Sequence, residues 1–275
     1  MNLIPIKEYE LYLIDNEISQ NTQKNYLNTV GQLDDFLRTN ELELNKESLI
    51  KFKQYLRAHH YKPQKTYTTK TINQKIISIN VYLNWLLKEK IIDDKMSIKL
   101  LKSQIKEHRE SITEAEYKKL LKYSTNDEIR LFILLIGNTG VRISEACSIK
   151  VEDLSKKTIP IENKGKQRTI TIPQFLKKQL KTYVRVNNIN GIIFYRDQRT
   201  YRNNLKTIAG LAKINKEKEY PHSIRHYFAK AFLDNGGDST VLQQLLGHEN
   251  IATTTIYTKL STNELSDQFS KIKNT

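Results

Sequence analysis

Apolar positions recur every three to four residues along most of this chain and every two residues in one short stretch, which predicts helices interrupted by a hairpin. Tyr9, Leu11, Tyr12 and Leu13 predict a short opening helix. Ser19 to Thr22 offer caps for a second, in which Tyr26, Val30, Leu33, Phe36 and Leu37 keep helical spacing. A third runs from about Lys46 to Ala58 on Leu49, Phe52, Tyr55 and Leu56. The fourth begins near Thr69 or Thr71 and carries Ile72, Ile76, Ile79, Leu83, Leu86 and Leu87. Four amphipathic helices of this length can close a core of their own.

From Ile91 to about Arg109 the periodicity loosens and charges alternate, which reads as a linker with its boundary between Lys102 and Ser111. The expected division is a helical domain over 1–102, a linker over 103–111 and a second domain over 112–275. Thr113 and Glu116 form a capping box at the start of the second domain. Leu131 to Ile136 are apolar on all sides, so that helix should be fully buried. Gly140 breaks it, and Ile143, Ala146 and Ile149 predict another buried helix. Between Thr158 and Pro173 the period changes to two, with Ile159, Ile161, Ile170 and Ile172 flanking Asn163-Lys164-Gly165-Lys166, the pattern of a hairpin. Phe175 to Val186 predict a helix, Asp197 to Thr207 a polar stretch, and Pro221 a further helix start. An apolar run, Val241 to Leu246, should end at Gly247. Asn250 to Thr254 would open a short element carrying Tyr257, and Leu260, Leu265, Phe269 and Ile272 a terminal helix. The fold class is mainly α with a small β-hairpin sheet: a four-helix N-terminal domain and a mixed α/β C-terminal one.

Composition narrows the partners. The 275 residues carry a formal charge of +15, which favours a polyanion, nucleic acid before an acidic membrane surface. Lysines outnumber arginines about threefold, so most of the charge suits phosphate contact rather than base reading. The single cysteine, Cys147, excludes an internal disulfide framework and fits a reducing cytoplasm. No apolar run approaches the roughly 20 residues of a membrane span. The polar loop between the third and fourth helices offers Arg57, Lys62, Lys65, Lys70 and Lys75 to a DNA backbone. The hairpin tip adds Lys166 and Arg168. Arg199 and Arg202, with Arg196 and Lys206 beside them, add more. Adjacent His59 and His60 lack a partner cluster, so no metal is expected.

The candidate chemistry lies toward the C-terminus. His222 and Arg225, three apart on a helix, share one face about 5 Å apart, a spacing that suits one anion. Arg142 at the lip of an apolar stretch needs a partner, either Glu145 or an external phosphate. His226 turns about 100° away from Arg225 and should face protein as structural support.

Thr139-Gly-Val-Arg-Ile-Ser-Glu145, the Lys164-Gly165-Lys166 turn, His222-Ser-Ile-Arg-His226, Leu246-Gly247-His248 and Tyr257 occur in an order and spacing that resemble the tyrosine site-specific recombinases, the phage integrase family. The layout is similar to that of short two-domain, Xer-like members. The resemblance implies that Arg142 and Arg225 grip a scissile phosphate, that Glu145 holds neighbouring groups, and that His222 and His248 donate to the phosphate or take the tyrosine proton. Tyr257 would be the nucleophile and Lys164 the acid for the leaving 5′ oxygen, with Lys166 a rival because this loop is about a residue shorter than the common pattern. It further implies a 3′-phosphotyrosyl intermediate needing neither ATP nor metal, double-stranded DNA with paired half-sites, and a homotetramer on two sites. Accessory DNA-bending or directionality proteins, and a role in element integration and excision or in dimer resolution, go with it. The alternatives are a tyrosine-class topoisomerase and a non-catalytic DNA-binding protein.

Overall fold

The computed structural model describes residues 5–62, 65–102, 111–163 and 166–247. By contact density the chain divides into two units, 1–105 and 106–275. In the first, α1 (Ile6–Asp15), α2 (Gln20–Thr39), α3 (Lys46–Ala58) and α4 (Thr69–Lys88) form where apolar spacing predicts them. Tyr9, Leu13, Val30, Leu33, Leu49, Phe52, Leu56, Ile76, Ile79 and Tyr82 close one core between them. Asn45 Oδ1 accepts from the Ser48 N–H to start α3, and Thr68 Oγ1 accepts from the Thr71 N–H to start α4.

The polar loop after α3 is more ordered than its composition suggests. His60–Lys62 (β1) and Lys65–Thr66 (β2) pair antiparallel, strands too short to leave a legible alternation. The His59 ring lies between Tyr55 and Tyr67, at centroid distances of 4.8 and 5.8 Å. Lys75 Nζ sits 5.0 Å over the Tyr67 ring and donates to Gln32 Oε1 at 2.7 Å.

Residues 91–101, expected to begin a loose linker, are fastened to the first unit. Asn80 makes two bonds to residue 98: its Nδ2 donates to the Ile98 carbonyl at 2.9 Å, and the Ile98 N–H donates to Asn80 Oδ1 at 2.8 Å. Asn73 holds Leu101 the same way, at 3.0 and 2.8 Å. The match is geometric. Seven helical residues rise about 10.5 Å and three extended ones about 10 Å, so two asparagines two turns apart meet two backbone sites three residues apart. Lys53 Nζ donates to the Lys99 carbonyl at 2.6 Å, Lys46 Nζ bonds the Ser97 carbonyl, and Ile98 is buried. Charge alternation hid this strap, because side-chain amides rather than an apolar stripe hold it.

The second unit opens with α5 (Glu114–Tyr123) on the Thr113–Glu116 capping box. Next, α6 (Asp127–Thr139) buries Phe132, Ile133, Leu135 and Ile136 and ends at Gly140, whose φ of 63° is left-handed. The helix expected through Ile149 stops early: α7 spans only Ile143–Ala146. Ser148 Oγ donates to the Glu145 carbonyl at 2.8 Å, and the Ile149 carbonyl turns to accept from the Ile193 N–H at 3.0 Å. Cys147, at this helix end, is half-buried, and burial pushes its thiol up to about 11. The hairpin pairs β3 (Ile159–Asn163) with β4 (Lys166–Ile170) in the register Ile159↔Ile170 and Ile161↔Arg168. Ile159, Ile161 and Ile170 face the core.

Then follow α8 (Gln174–Val186), α9 (Gln198–Leu211), α10 (Pro221–Asp234) and α11 (Ser239–Leu246). The polar stretch after Asp197 is in fact helical over α9: Asp197 caps it, and Tyr201, Leu205 and Ile208 are buried. Tyr201 stacks on Phe132 at 4.3 Å and donates to the buried Glu128, which also accepts from Arg196 Nε at 2.8 Å. No helix among the described residues is long and apolar enough to cross a membrane.

Candidate active site

Two helix ends and one strand meet at a carboxylate. Gly140 turns the chain out of α6 so that Arg142 becomes the N-cap residue of α7, with Glu145 three residues on. Glu145 Oε2 accepts from the Arg142 N–H at 2.6 Å, and Oε1 accepts from Arg142 Nη1 at 2.9 Å. From β4, Arg168 Nη2 reaches Oε2 at 2.5 Å and Nε approaches Oε1 at 3.4 Å. From α10, Arg225 Nη1 lies 3.9 Å from Oε2. The Glu145 side chain is 1% exposed. Burial pushes its carboxyl up, but the Arg168 hydrogen bond, the Arg142 N–H and the surrounding guanidinium charge outweigh that and bring it to about 2.

The same arginines hold the end of α11. Arg225 is 1% exposed; its Nη1 donates to the Gly140 carbonyl at 2.7 Å and its Nη2 to the Leu246 carbonyl at 2.6 Å. Arg142 Nη2 approaches the Gly247 carbonyl at 3.4 Å. These carbonyls end a helix, where the dipole is negative and attracts cations. Both glycines are needed. A Cβ on Gly140 would stand 2.4 Å from Phe228, and one on Gly247 2.6 Å from Arg168 Cδ, each at positive φ. Three guanidinium groups around one carboxylate leave the cluster two charges positive, and the Arg142 side chain, 33% exposed, is its outward member. Such a cluster can take an anion.

His222 is exposed in the first turn of α10, which the buried Pro221 opens at its first position. Its ring meets that of His226 one turn on, with centroids 4.6 Å apart and planes at 89°. His226 is half-buried. His222 and Arg225 share a helix but part in depth, one exposed and the other fully covered. The structure therefore brings together Arg142, Glu145, Arg168, Arg225 and the Leu246-Gly247 turn. Lys164, His248 and Tyr257, and the side chains of Lys62 and Lys166, lie outside the described residues. Among the expected backbone contacts, Arg57, Lys65, Lys70, Arg199 and Arg202 are exposed. Lys75 is turned to Tyr67 and Gln32, and burial lowers its ammonium below the usual lysine value.

Sequence reasoning placed Arg168 at the hairpin tip and missed its bond to Glu145. The signal was there: Arg168 is in phase with Ile170 and Ile172, so a period of two turns it inward.

A family model described as "Phage integrase family" matches residues 110–264, and one described as "Phage integrase, N-terminal SAM-like domain" matches residues 6–90. Tyrosine recombinase XerA of Pyrococcus furiosus is 35% identical over 170 residues, covering 57% of this chain and 59% of that protein. The matched segment thus spans about three fifths of that relative. Tyrosine recombinase XerA of Thermococcus onnurineus is 30% identical over 273 residues, covering 94% of this chain and 92% of the relative. Among solved structures, a lambda integrase dimer bound to a COC′ core site superposes with a TM-score of 0.74 at 18% identity, over 92% of this chain and 94% of that one. The chain belongs to the phage integrase family, whose relatives here carry the name tyrosine recombinase.

Proposed function

We propose that this chain is a site-specific DNA recombinase that cuts and rejoins strands through a 3′-phosphotyrosyl intermediate. The observation that carries the reading is the buried Glu145 carboxylate with Arg142, Arg168 and Arg225 gathered on it, an arrangement left with excess positive charge. Arg142, the outward member, donates to the non-bridging oxygens of the scissile phosphate, and Arg225, whose amino groups hold the Gly140 and Leu246 carbonyls in this structure, adds its positive charge from beneath. Tyr257 Oη attacks phosphorus; the P–O bond to tyrosine forms as the bond to the 5′ oxygen breaks. His222 takes the tyrosine proton, Lys164 or Lys166 supplies one to the leaving oxygen, and His248 donates to the phosphate.

Arg199 and Arg202, with Lys206, lie on one exposed stripe of α9 at spacings of three and four, a row suited to backbone phosphates. Arg57, Lys65 and Lys70 give the N-terminal unit a similar exposed surface. The relatives' name and the DNA-bound structural neighbour support double-stranded DNA as the partner. By family resemblance the sites are paired half-sites held by a homotetramer in the cytoplasm, with accessory DNA-bending proteins, for element integration and excision or dimer resolution. Residues 1–102 and 112–275 would each contact DNA, joined by 103–111.

The test uses a duplex recovered by binding selection from a randomised pool, nicked near its centre and incubated with the protein without metal or ATP. A denaturant-resistant protein–DNA adduct that Tyr257→Phe abolishes is the expected result. A selected duplex that binds tightly yet yields no adduct would leave a non-catalytic DNA-binding protein.

A further inference from the structure

We propose that Arg168 is a positioning residue for this site, holding Glu145 so that Arg142 keeps its outer edge open to the scissile phosphate while Arg168 itself contacts no phosphate. The inference rests on the reading above.

Strand geometry sets the direction of the side chain. Arg168 stands opposite Ile161, and directly opposed residues of an antiparallel pair share a face; Ile161 is buried. The Arg168 side chain is accordingly only 10% exposed, against 33% for Arg142. Its stem packs against Gly247, so one residue spans the hairpin, α7 and the end of α11.

The carboxylate geometry gives the consequence. Arg168 straddles both oxygens of Glu145, at 2.5 Å through Nη2 and 3.4 Å through Nε, and so fixes the carboxylate plane. Among the described residues, Arg142 meets that carboxylate with a single side-chain donor, Nη1, and its other amino group makes the long 3.4 Å contact to Gly247. Without Arg168, Glu145 can rotate into a two-bond pair with Arg142, the geometry that carboxylates and guanidiniums favour. That pairing occupies the donors a phosphate requires. Arg225 cannot substitute, because its two amino groups already hold Gly140 and Leu246. Arg168 thus ties β4 to the arginine pair.

A strut and a phosphate contact differ in two measurable ways. Binding of the selected duplex across a salt series would be compared for wild type, Arg168→Lys and Arg168→Gln, alongside the adduct rate at saturating DNA. The expected result is an unchanged slope of log K against log salt and an adduct rate lower by about 10²-fold in both variants, the scale of a misplaced catalytic group. A slope reduced by about 0.9, the value for one lost phosphate contact, with the saturated rate unchanged, would overturn the proposal. Melting curves identify a variant that fails to fold. In that event the Glu145→Gln, Arg168→Gln double variant decides: a rate no lower than that of Glu145→Gln alone supports action through Glu145, and multiplying losses refute it. Wild-type protein that forms no adduct would refute the enzymatic reading instead, and the salt slope would still decide whether Arg168 touches phosphate.

Discussion

The Nη2 of Arg225 lies 2.6 Å from the carbonyl oxygen of Leu246, the last residue of α11, while its Nη1 holds the carbonyl of Gly140 just past α6. One buried guanidinium thus closes two helix ends. Gly140 makes this approach possible, since Phe228 and Leu246 crowd the place a Cβ would take. Gly140→Ala should cost roughly 3 kcal/mol, combining left-handed backbone strain with overpacking. Urea unfolding would measure it. Gly31→Ala, at a helical site with open space, should not destabilise.

Glu145 makes stability depend on acid. Its folded value, about 2, lies below its ordinary value of 4.5, so the stabilisation is fully present above about pH 4.5 and is lost as pH falls toward 2. The amount is on the order of 3 kcal/mol. Glu145→Gln should lower stability at neutral pH, because Arg142, Arg168 and Arg225 lose their anion, and should flatten the decline between pH 5 and pH 2. Chemical denaturation at a series of pH values would show both; a Glu145→Gln acid limb as steep as wild type would contradict the assignment.

Asn80 and Asn73 fix where the first unit ends. Asn80→Ala removes both bonds to Ile98 and should cost about 2 kcal/mol, with faster hydrogen exchange at the Ile98 amide. Asn73→Ala should expose the Leu101 amide and leave Ile98 protected. Unchanged exchange in both variants would mean that burial of Ile98 alone holds the strap.

Five helices among the described residues end on a left-handed residue that is not glycine: Glu17, Glu41, Lys90, Asn188 and Lys213, at φ of 49° to 55°. Each is followed by Ile or Leu, whose N–H bonds back five residues, as Leu42 does to Leu37 and Ile214 to Ala209. Glycine at these positions relieves about 1 kcal/mol of strain but loosens the unfolded chain. Lys213→Gly and Glu41→Gly should therefore gain roughly 0.5 kcal/mol by thermal unfolding. Asn188→Gly should gain least, because asparagine tolerates this backbone well.

The pattern of apolar residues carried the long helices of the first unit, the capping box at Thr113 and Glu116, the turn at Gly140 and the Ile159–Ile170 pairing. Each is a local matter of spacing, caps or turn residues, and local preferences are written in the order of the chain. Short or polar elements were harder to see. The β1–β2 pair rests on the rings of Tyr55, His59 and Tyr67, and α9 buries Tyr201 and Leu205 amid arginines and asparagines, so neither has a periodicity long enough to stand out.

By itself the sequence determined the helical class, the hairpin of Ile159 and Ile170, and the order of Arg142, Lys164, His222, Arg225, His248 and Tyr257 that marks the family. Tertiary structure decided what the buried charges do. Glu145 could have paired with Arg142 alone, but a strand 23 residues away brings Arg168 onto the same carboxylate, and α10 brings Arg225 beneath Gly140 and Leu246. Those are contacts between distant segments, set by how a hairpin and three helix ends pack, and spacing along the chain carries no record of them.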